Sequence, residues 1–164
     1  MNAINSKNKG FITGLLIVLV SSVAYYFKRS FDNSIIIVAY LLYATGIVWT
    51  LVAFHREGGN DKRFKDYFQQ GFRCYIIVTL IMVCATWIFL KLNVSMRNEM
   101  IEFQREQLKL HSNYSDPDIE QKLINYRNFL LPGYTIGAIL SYLGSGTLIT
   151  VLISTFLSKF KTAQ

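Results

Sequence analysis

Charge is what this sequence has least of where it would be expected most evenly spread. Of its 164 residues only 16% are Asp, Glu, Lys or Arg, against the usual quarter or so, while 52% are apolar. The shortage is concentrated: residues 11–27, 34–54, 74–90 and 129–157 contain no Asp, Glu, Lys, Arg or His. Apolar segments without one ionisable group offer no interior proton relay, pump site or ion pathway, because such groups persist in lipid only for function. Also missing are a Gly-rich phosphate loop, a Ser-His-Asp set and zinc-ligand spacing. These absences argue against an enzyme, and no cofactor or metal is expected. Cysteine is scarce too. Cys74 and Cys84 lie ten residues apart on one expected helix, about 15 Å along its axis, too far to bridge. They are expected to be buried apolar side chains and leave the redox compartment open.

What is present is four charge-free blocks of 17, 21, 17 and 29 residues. A bilayer core of about 30 Å needs roughly 17–25 helical residues, so each block can span. The two shortest gain length from flanking side chains that can snorkel, Lys28 and Arg29 for one, Arg73 and Lys91 for the other. Lys7 and Lys9 before the first block also admit a signal peptide, with FITGLLIVLV as its apolar core and a cleavage site after Ala24. The apolar run instead continues through Tyr25, Tyr26 and Phe27, which suits an interfacial belt and an uncleaved helix. The expected fold is all-α: an integral membrane four-helix bundle with an extramembrane helical hairpin between helices three and four. Residues 1–164 form one membrane domain, with spans at about 11–27, 34–54, 74–90 and 133–157 and the hairpin at about 93–130.

Residues 54–72 organise the arrangement. Gly58 and Gly59 turn the chain, Asn60 and Asp61 offer caps, and a short helix follows with Lys62, Arg63 and Lys65 on one side and Phe64, Phe68 and Phe72 on another. Small residues recur inside the spans. Gly10 and Gly14 open the first; Ala39, Gly46 and Ala53 repeat every seven residues in the second; Gly133, Gly137, Ser141 and Ser145 repeat every four in the last, with Gly144 and Gly146 alongside. Such seams let backbones approach closely in lipid. For the last of them two readings stand, packing within the chain or an interface with a partner. The third span has few small residues and reads as lipid-exposed.

In the hairpin, Met96, Met100, Phe103 and Leu110 fall at helical spacing, as do Ile119, Leu123, Tyr126 and Leu130. HSNYSDPD breaks the two arms, with Asp116 as cap and Pro117 in the first helical position. Leu131-Pro132-Gly133 ends the hairpin and begins the last span. Glu99, Glu102 and Glu106 share a helix face and resemble half of a carboxylate metal site, but Arg105 and Lys109 interleave with them as on a solvated face. His55, beside Glu57 at a span end, reads as structural. Neutral hydroxyls such as Thr50, Ser141, Thr147 and Thr150 could line a small pocket; more often they bond the preceding turn.

The net charge of +7 sits in residues dispersed at segment ends, which points to lipid headgroups rather than nucleic acid. With four spans the termini and the connector of residues 55–73 share one side with nine Lys and Arg, against eight on the other. All nine lie close to a span, so the positive-inside rule places both termini in the cytoplasm.

The layout resembles a known family. Gly58-Gly59, then Phe64, Phe68 and Gly71 leading into the third helix, and Asp116-Pro117 before the last one, are similar to the bacterial domain-of-unknown-function family 4199, common in the Bacteroidota. The resemblance implies a multi-pass protein of the bacterial inner membrane and brings no activity or catalytic residue with it. The function expected is a structural or accessory component of a membrane assembly, partnered by membrane lipid and by a second copy or another membrane protein. The alternative is a small carrier or binder of lipid or neutral solute.

Overall fold

Apolar runs of 17 or more residues without internal charge can satisfy every backbone polar group within their own segment as helices, and helices are what they form. The structure, a computed structural model, describes residues 5–27, 33–57, 62–111 and 114–159. Among them are five helices and no strand: α1 Ser6–Tyr26, α2 Asn33–Arg56, α3 Phe64–Leu92, α4 Val94–His111 and α5 Asp116–Lys159. Four of these, α1, α2, α3 and α5, are long and apolar enough to cross a membrane. The expectations placed on Lys28, Arg29, Gly58, Gly59, Asn60 and Asp61 lie outside the described residues.

The chain divides into two compact units, Met1–Met82 with Ile139–Gln164, and Val83–Ala138. The first is the bundle. Its core holds Ile17, Tyr43, Ile47, Leu51 and Val78, all fully buried, with Ala39, Tyr67, Tyr75 and Met82 around them. Its exterior is as apolar as its core: Leu19, Leu41, Leu80, Leu148 and Leu152 are each at least 60% exposed. A surface of this kind in water would aggregate; facing acyl chains it matches its solvent. Polar bonds tie the helices together inside. The Tyr43 hydroxyl donates to the Tyr142 carbonyl at 2.8 Å, and the Tyr75 and Thr147 hydroxyls meet at 3.1 Å.

The entry to α3 differs from the sequence expectation. Phe64, Phe68 and Phe72 belong to no separate short helix; α3 runs unbroken from Phe64, and these rings form a ladder with centroids 5.9 and 6.1 Å apart. Its start is set by Asp66, whose carboxylate accepts from the Arg63 N–H at 2.8 Å, the reciprocal half of a capping box. Lys62 closes the end of α2: its ammonium donates to the Phe54 carbonyl and lies 3.9 Å above the Phe54 ring centre. Burial pulls the Lys62 pKa below the ordinary lysine range, against the opposing pull of Glu57 and Asp66.

The second unit packs Leu90, Met100, Ile101, Ile119, Leu123 and Leu130 together, with Met96, Leu108 and Tyr126 alongside. The expected stripe on α4 is therefore half corrected. Phe103 and Leu110 are 61% and 73% exposed, because the buried face turns toward Ile101 and Leu108. At about 100° per residue, that turn leaves Phe103 and Leu110 at its edge. Arg105 of α4 bonds Glu120 of α5 at 3.0 Å. Helix α5 begins one residue earlier than expected: Ser115 takes the cap position, its carbonyl accepting from the Ile119 N–H at 3.0 Å and its hydroxyl donating to Asp118 at 2.5 Å.

Pro132 does not divide the hairpin from the last span. It lies inside α5, which is continuous over 44 residues. Proline removes a single N–H donor, the one that would have bonded the Asn128 carbonyl, and the rest of the helical ladder is kept. A full break in apolar surroundings would strand several backbone groups, so the kinkable helix wins. Cys84 is the other correction: Cys74 is buried but Cys84 is exposed. Ten residues are not a whole number of helical turns, so the two thiols lie on different faces.

Close approach should decide the bundle's stability. At Gly10 an added Cβ would come within 2.6 Å of the Cys74 carbonyl oxygen, whereas at Gly137 it meets nothing within 4 Å. Gly10→Ala should therefore cost about 1–3 kcal/mol by forcing α1 and α3 apart, and Gly137→Ala should leave the unfolding midpoint in detergent unchanged or raised. Equal losses in thermal unfolding would show that the packing seam lies elsewhere.

Candidate functional site

The small residues fall into two groups. Those of α1, α2 and early α3 face inward. An added Cβ would meet the Ile81 side chain at 2.8 Å from Gly14, Thr13 at 2.4 Å from Gly46, and Thr150 at 2.4 Å from Gly71. Ala39 lies in the core and Ala53 is half-buried. On α5 the arrangement turns over. Gly137 and Gly144 have nothing within 4 Å of an added Cβ, and Ser141 between them is exposed. Ser145 is half-buried and bonds the Ser141 carbonyl at 2.6 Å, while the space at Gly133 is taken by the Phe129 ring of its own helix. The glycine of α5 that packs within the chain is Gly146, where a Cβ would lie 2.2 Å from the Tyr43 hydroxyl.

Helical geometry explains the division. Counting about 100° per residue, Gly137, Ser141, Gly144 and Leu148 share one face, and Gly146, Thr150 and Ser154 lie on the opposite side. The four-residue repeat in the sequence marks the outward face. The inward one carries Gly146 together with hydroxyls, a signal that the repeat concealed. Thr150 and Ser154 are fully buried, and neither hydroxyl has a hydrogen-bond partner.

A polar cavity of about 370 Å³ opens at one end of the bundle, lined by Ser6, Lys9, Thr50, Phe54, Glu57 and Gln70 among others. Helix α1 starts well before the charge-free block, and that extension carries Lys9 into the bundle. Lys9 is only 5% exposed. Its ammonium lies 3.8 Å from the Glu57 carboxylate and 5.8 Å from the Trp49 ring centre. A buried cation needs such partners to offset the cost of leaving water. Sequence reasoning took Lys9 for a flanking charge; its spacing of four residues before Thr13, whose hydroxyl bonds the Lys9 carbonyl at 2.8 Å, was the available sign of helix continuity. Nearby, His55 Nδ1 lies 2.7 Å from the Tyr67 hydroxyl and pins α2 to α3.

The glutamates of α4 stay apart in their contacts. Glu99 faces the Ser95 hydroxyl at 3.4 Å, and Glu102 lies 3.7 Å from Arg105. Among the described residues no three His, Cys, Asp or Glu side chains converge as metal ligands would.

Comparison with known proteins adds one relation. The profile of the family described as "Protein of unknown function (DUF4199)" matches residues 8–159. No curated protein and no solved structure matches the chain.

The Lys9–Glu57 pair makes a stability prediction. Glu57 is 42% exposed, so water screens the pair and Glu57→Gln should destabilise by only about 1 kcal/mol. Adding Lys9→Met to that variant should restore the loss, because the unpaired buried charge goes with it. Thermal unfolding at low salt reads both; a double variant less stable than Glu57→Gln alone would mean that Lys9 is held by other groups.

Proposed function

The chain belongs to the DUF4199 family of proteins of unknown function, and on that premise we propose that it is a structural or accessory component of a membrane assembly rather than an enzyme. In this reading it resides in a bacterial inner membrane with both termini in the cytoplasm, and it meets a second copy or another membrane protein through the outward face of α5. The observation that carries the reading is the open space at Gly137 and Gly144 with Ser141 exposed between them. Acyl chains gain little from a groove of small residues, whereas another helix can approach closely along it and gain dispersion contacts. Leu140 and Leu148, 66% and 67% exposed, border the groove and supply the ridges that such a contact interdigitates.

The second reading, a binder of lipid or neutral solute, is favoured by the buried Thr150 and Ser154 hydroxyls that lack partners. A hydroxyl left unbonded in an apolar interior is costly unless a ligand or water completes it.

Native mass spectrometry of the protein released gently from its own membrane separates the two. The assembly reading expects a mass of repeated copies or of a stable second protein, lost in a Gly137→Leu/Ser141→Leu variant that still inserts into the membrane. A monomer carrying one defined small molecule, released by Thr150→Val, would replace it with the binder reading.

A further inference from the structure

Within the second unit a cavity of about 220 Å³ lies between α4 and the first half of α5. Its polar lining is Arg97, Asn98 and Arg127, and its walls include Ile101, Leu130 and Leu131. No carboxylate among the described residues lines it, and neither arginine takes part in an ion pair there. The Arg97 Nε is buried and has no hydrogen-bond partner. Two guanidinium groups on one cavity repel each other, and a buried N–H without an acceptor loses its water for nothing. Arg127 is exposed and keeps water, so the unmet demand lies at Arg97, and an anion in the cavity would answer it.

The glutamates do not serve. Counting about 100° per residue along α4, Glu99, Glu102 and Glu106 lie a quarter-turn or more away from the face that carries Arg97 and Ile101. Arg105, by contrast, has its acid in Glu120, 3.0 Å away. Both Nε atoms are buried without a hydrogen-bond partner, so what separates the two α4 arginines is the acid: Arg105 has Glu120, and Arg97 has none among the described residues.

Position along the chain says what the anion belongs to. Arg97 follows the charge-free block that ends at residue 90 by seven positions, and Arg127 precedes the next, which opens at residue 129, by two. Trp87 and Tyr134, 44% and 46% exposed, flank these block ends, with the Lys91 ammonium 4.7 Å from the Trp87 ring centre. Aromatic rings and lysines so placed mark the level of lipid headgroups. The apolar walls suit the carbon skeleton attached to a headgroup, and the guanidinium forks suit two phosphate oxygens at once.

We propose that Arg97, Arg127 and Asn98 form a binding site for the phosphate of an anionic phospholipid, one lipid per chain. The site is independent of the α5 groove and stands whether or not the assembly reading does.

The test uses the full chain in mild detergent, offered phosphatidylglycerol, phosphatidylcholine or inorganic phosphate, with retained lipid counted by native mass spectrometry. One phosphatidylglycerol per chain should be kept in preference to phosphatidylcholine. Arg97→Gln/Arg127→Gln should lower its occupancy about tenfold or more, since two charge-assisted bonds go. Lys-for-Arg replacement at both positions should fall between, having charge without the fork, and Lys109→Gln should change nothing. If the glutamine pair fails to fold by circular dichroism, Arg127→Gln alone carries the test, because that side chain is exposed. Undiminished phosphatidylglycerol retention in a folded variant would overturn the proposal. Displacement of the lipid by millimolar inorganic phosphate would overturn the lipid source and assign the cavity to a free anion.

Discussion

The bundle depends on how closely its backbones can approach. Helices α1, α2, α3 and α5 are long and apolar enough to cross a membrane, and between helices in lipid the force that packs water-soluble cores is absent, since an apolar side chain gains nothing from leaving one hydrocarbon surface for another. What remains is dispersion at short range and hydrogen bonds between helices. Both need small residues at the crossings. Gly10 sits against the backbone at Cys74, Gly46 receives the Thr13 side chain, Gly71 receives Thr150, and Gly146 makes room for Tyr43 and Tyr75. With the backbones that near, the Tyr43 hydroxyl reaches the Tyr142 carbonyl and Tyr75 reaches Thr147. Bulk at any of these points would lengthen several contacts together.

The two units differ in where their apolar side chains lie. The bundle carries leucines on its outside and hydroxyls in its interior, whereas the hairpin unit buries Leu90, Met100, Ile101 and Leu123 and turns its glutamates outward. That unit buries an apolar cluster of its own while leaving Phe103 and Leu110 exposed, and its exposed ion pairs contribute little. The Arg97–Arg127 cavity lies, along the chain, between the third and fourth charge-free blocks. There, apolar walls and charged forks can serve a single ligand that is itself amphipathic.

The helices that do not stop where expected make a related point. Leu131-Pro132-Gly133 has the composition of a break, and in water the missing bond, the ring clash and the glycine would together favour one. Helix α5 continues because the proline removes one helical bond, that to the Asn128 carbonyl, whereas a full break in apolar surroundings would strand several backbone groups. Helix α1 extends in the other direction: Ser6 to Gly10 carry Lys9 into the bundle, where Glu57 and Trp49 receive it.

Segment identity was legible in the sequence, and so was fold class. Four blocks without charge, a basic connector and a polar stretch with two apolar stripes determine an all-α chain with four membrane-length helices and a helical hairpin, because backbone satisfaction in lipid and helical periodicity are local demands. The sequence also shows small residues near each other on one face of α1 and of α2. Which face of a helix meets which neighbour was not legible. The repeat Gly133, Gly137, Ser141, Ser145 has the same form whether it packs inside or outside; the tertiary structure turns Gly137, Ser141 and Gly144 outward because Gly146, Thr150 and Ser154 fill the inward side against Tyr43, Tyr75 and Gly71. Likewise Phe103 shares a spacing with Met100, yet the rotation of α4 against α5 buries Ile101 in its place. Helical periodicity fixes angles within a helix; only the packing of several helices sets the zero of that angle.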